Sequence, residues 1–452
     1  MKFLKSNSIS IKSKNLTLSI FASFLYFGIL LFTPKIFTLI QPDSGGYIDF
    51  SNIRSSIYPS IIDIFQLFKI SLNKLITFQI IVFLISLTSF IYQLLKFKVN
   101  KIIICLVYLS LFFNIYYNGF HFTILTESLS FSLILVLIGQ LISFFHSKTK
   151  MNIIIIISII TLLFSIKPAT APIFVIVLIT IIFTLWSEKK IKKISFFKLI
   201  FLPILIFLSL ENFLFFNNHE EKKTVLERHF FGKAIMIKLF HYQKDKFIDE
   251  TPNKNTYDFI KKTDNYFNNL SGLYSSCLKL ERYGDFENHA YFHLVNEEYF
   301  NTLNSRKFIK KTFSNGFNFY IKLTGLHYLN FFCVATPTKF DLYVDTPPLI
   351  VKDTFNEHYR KKIIHFLFLG LGIVFFFTNF IYLYHFSRFF IVKENIFDPI
   401  DKVNITLIIS TQFYLISVAG LSISNPRYLM LVFPLIIFVS LTTLYKLTNI
   451  YK

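Results

Sequence analysis

The sequence predicts an all-α protein: a polytopic bundle of about ten transmembrane helices, with interfacial helices and one large extracytoplasmic segment. Three observations lead there. The 452 residues are 53% hydrophobic and only 16% charged, and a mean hydropathy of +0.53 is too apolar for a soluble chain of this length. Several apolar runs approach the roughly 20 residues that carry a helix across a bilayer. Helices are also the open-ended way to satisfy backbone polar groups in lipid. The 60 Phe and single Trp, with abundant Ile and Lys, match the composition of an AT-rich bacterial genome.

The expected spans are 16–39, 75–95, 101–118, 126–145, 151–167, 169–186, 197–216, 362–385, 404–424 and 428–448. The first follows a head bearing Lys2, Lys5, Lys12 and Lys14 and lacks a small-residue cleavage site, so it reads as a retained span. Lys167-Pro168 separates the short fifth and sixth runs, which are two crossings or a partial re-entry. Three parts result: a catalytic membrane core (1–216), a mostly helical extracytoplasmic segment (217–361) and the C-terminal spans (362–452).

Lysine and arginine in short loops set the orientation. Lys96, Lys98, Lys101, Lys148, Lys150, the 187–193 loop, Arg388, Lys393, Lys402 and the tail all fall on one side if the chain crosses ten times. That side is the cytoplasm, with both termini there and the protein in the bacterial inner membrane. The long segment exceeds the ~60 residues to which the rule applies. In the first outer loop, Ile57, Ile61, Ile64, Phe65 and Phe68 recur at helical spacing, with Asp63, Gln66 and Lys69 opposite. This predicts a helix lying among headgroups, with Pro59 in its first turn.

The net charge of +21 suggests nucleic acid, yet the positives flank membrane runs or sit in the long polar segment. Anionic headgroups account for them, and no nucleic-acid partner is expected. Cys105 reads as buried packing, Cys277 and Cys333 could pair outside the cell, and no Cys/His spacing for metal occurs.

Three polar motifs then fall on the outer side: Pro42-Asp43-Ser44-Gly45-Gly46-Tyr47, Leu125-Thr126-Glu127-Ser128 and Asn425-Pro426-Arg427-Tyr428. The first is turn chemistry, or it holds a carboxylate at the water–lipid boundary, where partial desolvation suits Asp43 to take a proton. Thr126 or Ser128 caps a helix that starts near Glu127, or Glu127 is functional. His121 reads as an interfacial contact, although Asp, Glu and His together could hold a divalent cation. Lys167, Arg54 and Arg427 either snorkel to headgroups or grip the phosphate of a lipid-linked substrate.

This pattern resembles the GT-C superfamily of polytopic glycosyltransferases, which use a sugar carried on a polyprenyl phosphate and include protein mannosyltransferase and aminoarabinose transferase relatives. Asp43-Ser44-Gly45-Gly46-Tyr47, followed by Arg54 and Tyr58-Pro59, looks like that family's first outer loop. Thr126-Glu127, Lys167-Pro168 and Arg427-Tyr428 resemble its later motifs. There is no paired Asp-x-Asp or Glu-x-Asp in the second outer loop. The resemblance implies transfer from a polyprenyl-phosphate-linked sugar to a lipid A, glycan or protein acceptor, with inversion. Asp43 would be the base, and Glu127 would orient the acceptor or help hold a cation. Arg54, Lys167 and Arg427 would stabilise the leaving phosphate; Tyr47, Tyr58 and Tyr428 would line the substrate. Three rivals remain: a surface-glycan polymerase or ligase, a lipid-glycan flippase or transporter, and a non-catalytic membrane scaffold.

Overall fold

The computed structural model describes residues 2–32, 39–40, 43–50, 54–187, 193–218, 397–421 and 426–450, with scattered residues between 317 and 387. Most of segment 217–361, with Cys277 and Cys333, lies outside the described residues. Among those described, every regular element is a helix.

They run in order: α1 (Lys2–Phe32), α2 (Ser44–Ile48), α3 (Ile57–Leu67), α4 (Leu72–Lys96), α5 (Lys101–Phe113) and α6 (Ile115–Gly119). A single 3-10 turn, Phe120–Phe122, leads to α7 (Glu127–Ser147) and α8 (Lys150–Ile166). A second, Pro168–Thr170, leads to α9 (Ala171–Ser187) and α10 (Lys193–Asn218); α11 (Pro399–Leu421) and α12 (Pro426–Ile450) close the chain. Contacts divide it into two compact units: 1–228 with 335–412 and 430–452, and 229–334 with 413–429.

Among the described residues, six stretches are helices long and apolar enough to cross a membrane: Ser13–Phe32, Leu72–Lys96, Glu127–Ser147, Pro168–Trp186, Pro399–Gly420 and Tyr428–Thr448. Ile57–Leu67, Lys101–Phe113, Lys150–Ile166, Pro203–Leu214 and Gly372–Tyr384 are apolar but shorter. The six long helices coincide with six of the ten expected spans; at the other four the described residues form apolar helices shorter than a crossing, and α3 is a further short helix. The fifth and sixth runs are separate helices, broken at Lys167-Pro168 where proline ends the α8 ladder.

In the first unit α7 is the central helix, packed against α4 and α8, while α4 also packs on α1 and α8 on α10. Leu129, Phe131, Ile134, Leu135, Ile138 and Phe144 are all buried, so α7 is enclosed round its circumference. Gly139 lies close against α4. A Cβ there would stand 3.3 Å from the Gln93 side chain and 3.6 Å from the Phe90 Cα. Gly139→Leu is expected to force the two helices apart and cost about 1–3 kcal/mol in micellar unfolding.

The outer helices turn large apolar side chains outward: Phe24 and Phe32 on α1, Ile85 on α4, Phe183 and Trp186 on α9. In water this would be an aggregating surface; in lipid it is the ordinary one. Cys105 belongs to it. The expected buried thiol is exposed, because α5 buries Ile103, Ile104, Val107 and Leu111 and shows Ile102, Cys105, Leu106 and Leu109 outward. A helix apolar all round does not announce which face meets protein.

The last helices are joined by polar groups. Asp398 and Asp401 accept each other's backbone N–H (3.2 and 2.8 Å), a reciprocal cap at the start of α11. Lys446 of α12 binds both carboxylates at 2.7 and 2.6 Å. Asn404 donates to Thr442 (2.9 Å) and to the Tyr382 hydroxyl (2.9 Å). In the second unit, Tyr320 donates to the Gly420 carbonyl at 3.0 Å.

Candidate functional site

The start of α7 and the end of α8 meet at one end of the helix group. Residues 39–40, 43–50 and 54–56, from the stretch between α1 and α3, are held there by long-range polar contacts. Ile124 N–H donates to the Leu39 carbonyl (2.9 Å). The Ser44 hydroxyl donates to the Ile124 carbonyl and the Ser55 hydroxyl to the Ile166 carbonyl, each at 2.9 Å. A stretch rich in Ser and Gly has few apolar anchors, so hydroxyl-to-carbonyl bonds do the holding.

Asp43 precedes the single-turn helix α2, and its side chain forms no cap bond. Of the Pro-Asp-Ser-Gly-Gly segment, for which a turn was one of two readings, Pro42 lies outside the described residues, Asp43 is the N-cap and Ser44, Gly45 and Gly46 begin the helix. The Asp43 carboxylate pairs with Arg54 (Oδ1 to Nη2, 2.6 Å). Their side chains are 35% and 22% exposed, so the pair sits at a partly open edge. Its neighbour is a cation, where the sequence reading considered only partial desolvation at the water–lipid boundary. The Arg54 guanidinium also lies 4.8 Å from the centre of the Tyr47 ring, at cation–π range. Gly46 makes this possible: a Cβ there would stand 3.1 Å from Arg54 Nε.

Tyr47 meets Tyr58 edge to face, with centroids 5.3 Å apart. Tyr58 is fully buried and its hydroxyl accepts from the Gln79 amide at 2.8 Å. Burial pushes that hydroxyl well above its ordinary range, and the nearby Tyr47 and Glu127 charges add to the shift.

Glu127 opens α7, and Thr126 holds the N-cap position without a side-chain cap bond. The expected capping arrangement is thus absent, and the carboxylate is used differently. Glu127 Oε1 meets Lys167 Nζ at 2.6 Å, with side chains 0% and 6% exposed. This corrects two expectations. Lys167 does not snorkel to headgroups; it is buried and pairs with a carboxylate inside the fold. Glu127 lies inside rather than at the rim. The cause is the break at Lys167-Pro168, which ends α8 beside the start of α7.

His121, expected at an interface, is fully buried instead. Its Nδ1 is 2.8 Å from Ser128 Oγ and its ring lies 4.0 Å from that of Phe83. Burial lowers its pKa to about 3, so it is a neutral core histidine at physiological pH. Among the described residues, no three His, Cys, Asp or Glu side chains gather to hold a metal ion.

The six residues Asp43, Tyr47, Arg54, Tyr58, Glu127 and Lys167 thus form one linked group: two ion pairs joined through two tyrosines in edge-to-face contact. Arg427's side chain lies outside the described residues, and the half-buried Tyr428 belongs to the second unit. The grouping stands without them.

Sequence reasoning missed Gln79 and Glu211. Gln79 is wholly buried on α4 under Tyr58. Glu211, 1% exposed on α10, accepts from Ser56 N–H (2.6 Å) and Ile57 N–H (3.1 Å). A signal existed: Glu211 is a lone carboxylate in the apolar run 197–216, and ionisable residues inside such runs are seldom idle.

No protein-family model, curated protein or solved structure matches the chain.

Proposed function

We propose that this protein is a membrane glycosyltransferase that moves a sugar from a polyprenyl-phosphate donor to an extracytoplasmic lipid, glycan or protein acceptor, with inversion. One observation carries the reading. Six side chains from three separated stretches, selected by their resemblance to the GT-C superfamily, meet at one end of a helix group with a lipid-facing exterior. A lipid-linked donor places its phosphate at such an end while its tail stays in hydrocarbon.

The chemistry follows from the partly open pair. Asp43 takes the proton of an acceptor hydroxyl, whose oxygen attacks the anomeric carbon. The bond from that carbon to the phosphate oxygen breaks, and polyprenyl phosphate leaves with the electron pair. Arg54, beside Asp43, stabilises the charge growing on the phosphate. The Glu127–Lys167 pair stands behind Tyr58 and orients the acceptor side without touching the phosphate. Ten crossings, cytoplasmic termini and an outward site in a bacterial inner membrane belong to the same proposal.

The buried Glu127–Lys167 pair favours a second reading, a lipid-glycan flippase, because ionisable groups inside membrane proteins mark translocation paths. Mass spectrometry of surface glycans and polyprenyl-linked sugars separates the two. Three strains are compared: intact, gene-deleted, and carrying Asp43→Asn at normal protein level. A transferase loses one sugar in both altered strains while its monosaccharide donor accumulates. If deletion changes the glycans and Asp43→Asn does not, the base assignment fails and transport moves ahead.

A further inference from the structure

Ser56 stands at the N-cap of α3, the position where a serine hydroxyl ordinarily accepts from the exposed helix N–H groups. It does not do so. Its side chain makes no cap bond, and its buried Oγ has no hydrogen-bond partner. The work is done from α10, 155 residues away in sequence, where the two Glu211 oxygens take the Ser56 and Ile57 N–H groups at 2.6 and 3.1 Å.

A local serine would cap the helix equally well if capping were all that mattered. A carboxylate buried on an apolar helix is costly to desolvate, and charge-assisted bonds to a helix N-terminus offset that cost. What Glu211 adds is position: it fixes the start of α3 relative to α10. Ser55, one residue earlier, is bound to the end of α8 through the Ile166 carbonyl. Arg54, one residue earlier again, holds Asp43. Three consecutive residues therefore tie the Asp43–Arg54 pair to two helices.

We infer that Glu211 is a positioning residue, holding the N-terminus of α3 and through it the Asp43–Arg54 pair; its effect on sugar transfer rests on the reading proposed above. Displacing a reacting group by about 1 Å can cost on the order of 100-fold in rate. Glu211→Gln keeps the size and removes the charge. Ser56→Pro attacks the same contact from the other side: it deletes a donor where φ is −87°, close to proline's range.

The test uses the full chain in detergent micelles, with hydrogen exchange read by mass spectrometry. Either variant is expected to speed exchange in the 55–60 stretch about tenfold, leaving 127–147 unchanged. Sugar transfer should also fall about tenfold or more, through kcat rather than donor KM. Unchanged exchange at 55–60 in both variants overturns the tether. Faster exchange with undiminished transfer, where Asp43→Asn abolishes transfer, overturns the positioning role. If Asp43→Asn leaves transfer intact, the transferase mechanism fails on its own account, and exchange alone decides for or against the tether.

Discussion

Lys167→Met is expected to destabilise the protein by about 3–5 kcal/mol, because it strands the Glu127 carboxylate in the interior. The two side chains are 6% and 0% exposed, so neither solvent nor salt can take over the lost partner. Burying the pair is itself costly, which gives the experiment its second arm. The double variant Glu127→Gln/Lys167→Met removes both charges and should regain most of the loss, with strong non-additivity. Thermal or denaturant unfolding in micelles reads all three proteins. A lysine that merely snorkelled to headgroups would behave as a surface residue, shifting stability by about 0.5 kcal/mol or less. A near-silent Lys167→Met would therefore remove the ion pair from this account.

The second large effect is on rate. Asp43→Asn is expected to lower kcat/KM for sugar transfer by about 10²–10⁴, the usual contribution of a general base. Stability should hardly move, because the Asp43–Arg54 pair is partly open to solvent and such pairs contribute little. Arg54→Lys keeps the charge but loses both the planar fork and the face-on contact with Tyr47. An intermediate loss is expected, about tenfold, recovered in no part by added salt. The assay uses membranes or proteoliposomes with a polyprenyl-phosphate sugar. Full activity in Asp43→Asn would assign the base elsewhere.

These two predictions differ in kind because the two ion pairs do. From sequence, Lys167 and Arg54 looked alike, as cations beside apolar runs. Burial distinguishes them, and burial depends on where α8 ends relative to α7. Nothing in the residues near Lys167 states that. Glu127 illustrates the same point: its place at the head of a helix was legible, but the partner that neutralises it lies 40 residues on. The first-loop helix was legible too, from its spacing, and runs Ile57–Leu67. Its orientation was not: Tyr58 and Ile62 are buried, while Ile64, Leu67 and Phe68 face outward.

The sequence by itself determined that the chain is helical and membrane-like, since apolar composition and backbone hydrogen bonding leave few other solutions. It also singled out the polar motifs that interrupt the apolar runs, because a polar residue there is conspicuous. Tertiary structure alone decided which charge meets which. It paired Arg54 with Asp43, sent Lys167 inward to Glu127, exposed Cys105, buried His121, and brought Glu211 to cap a helix that Ser56 leaves uncapped. The physical reason is the same in each case. In a helix apolar on every side, composition carries no record of which face meets protein, and only packing makes that choice.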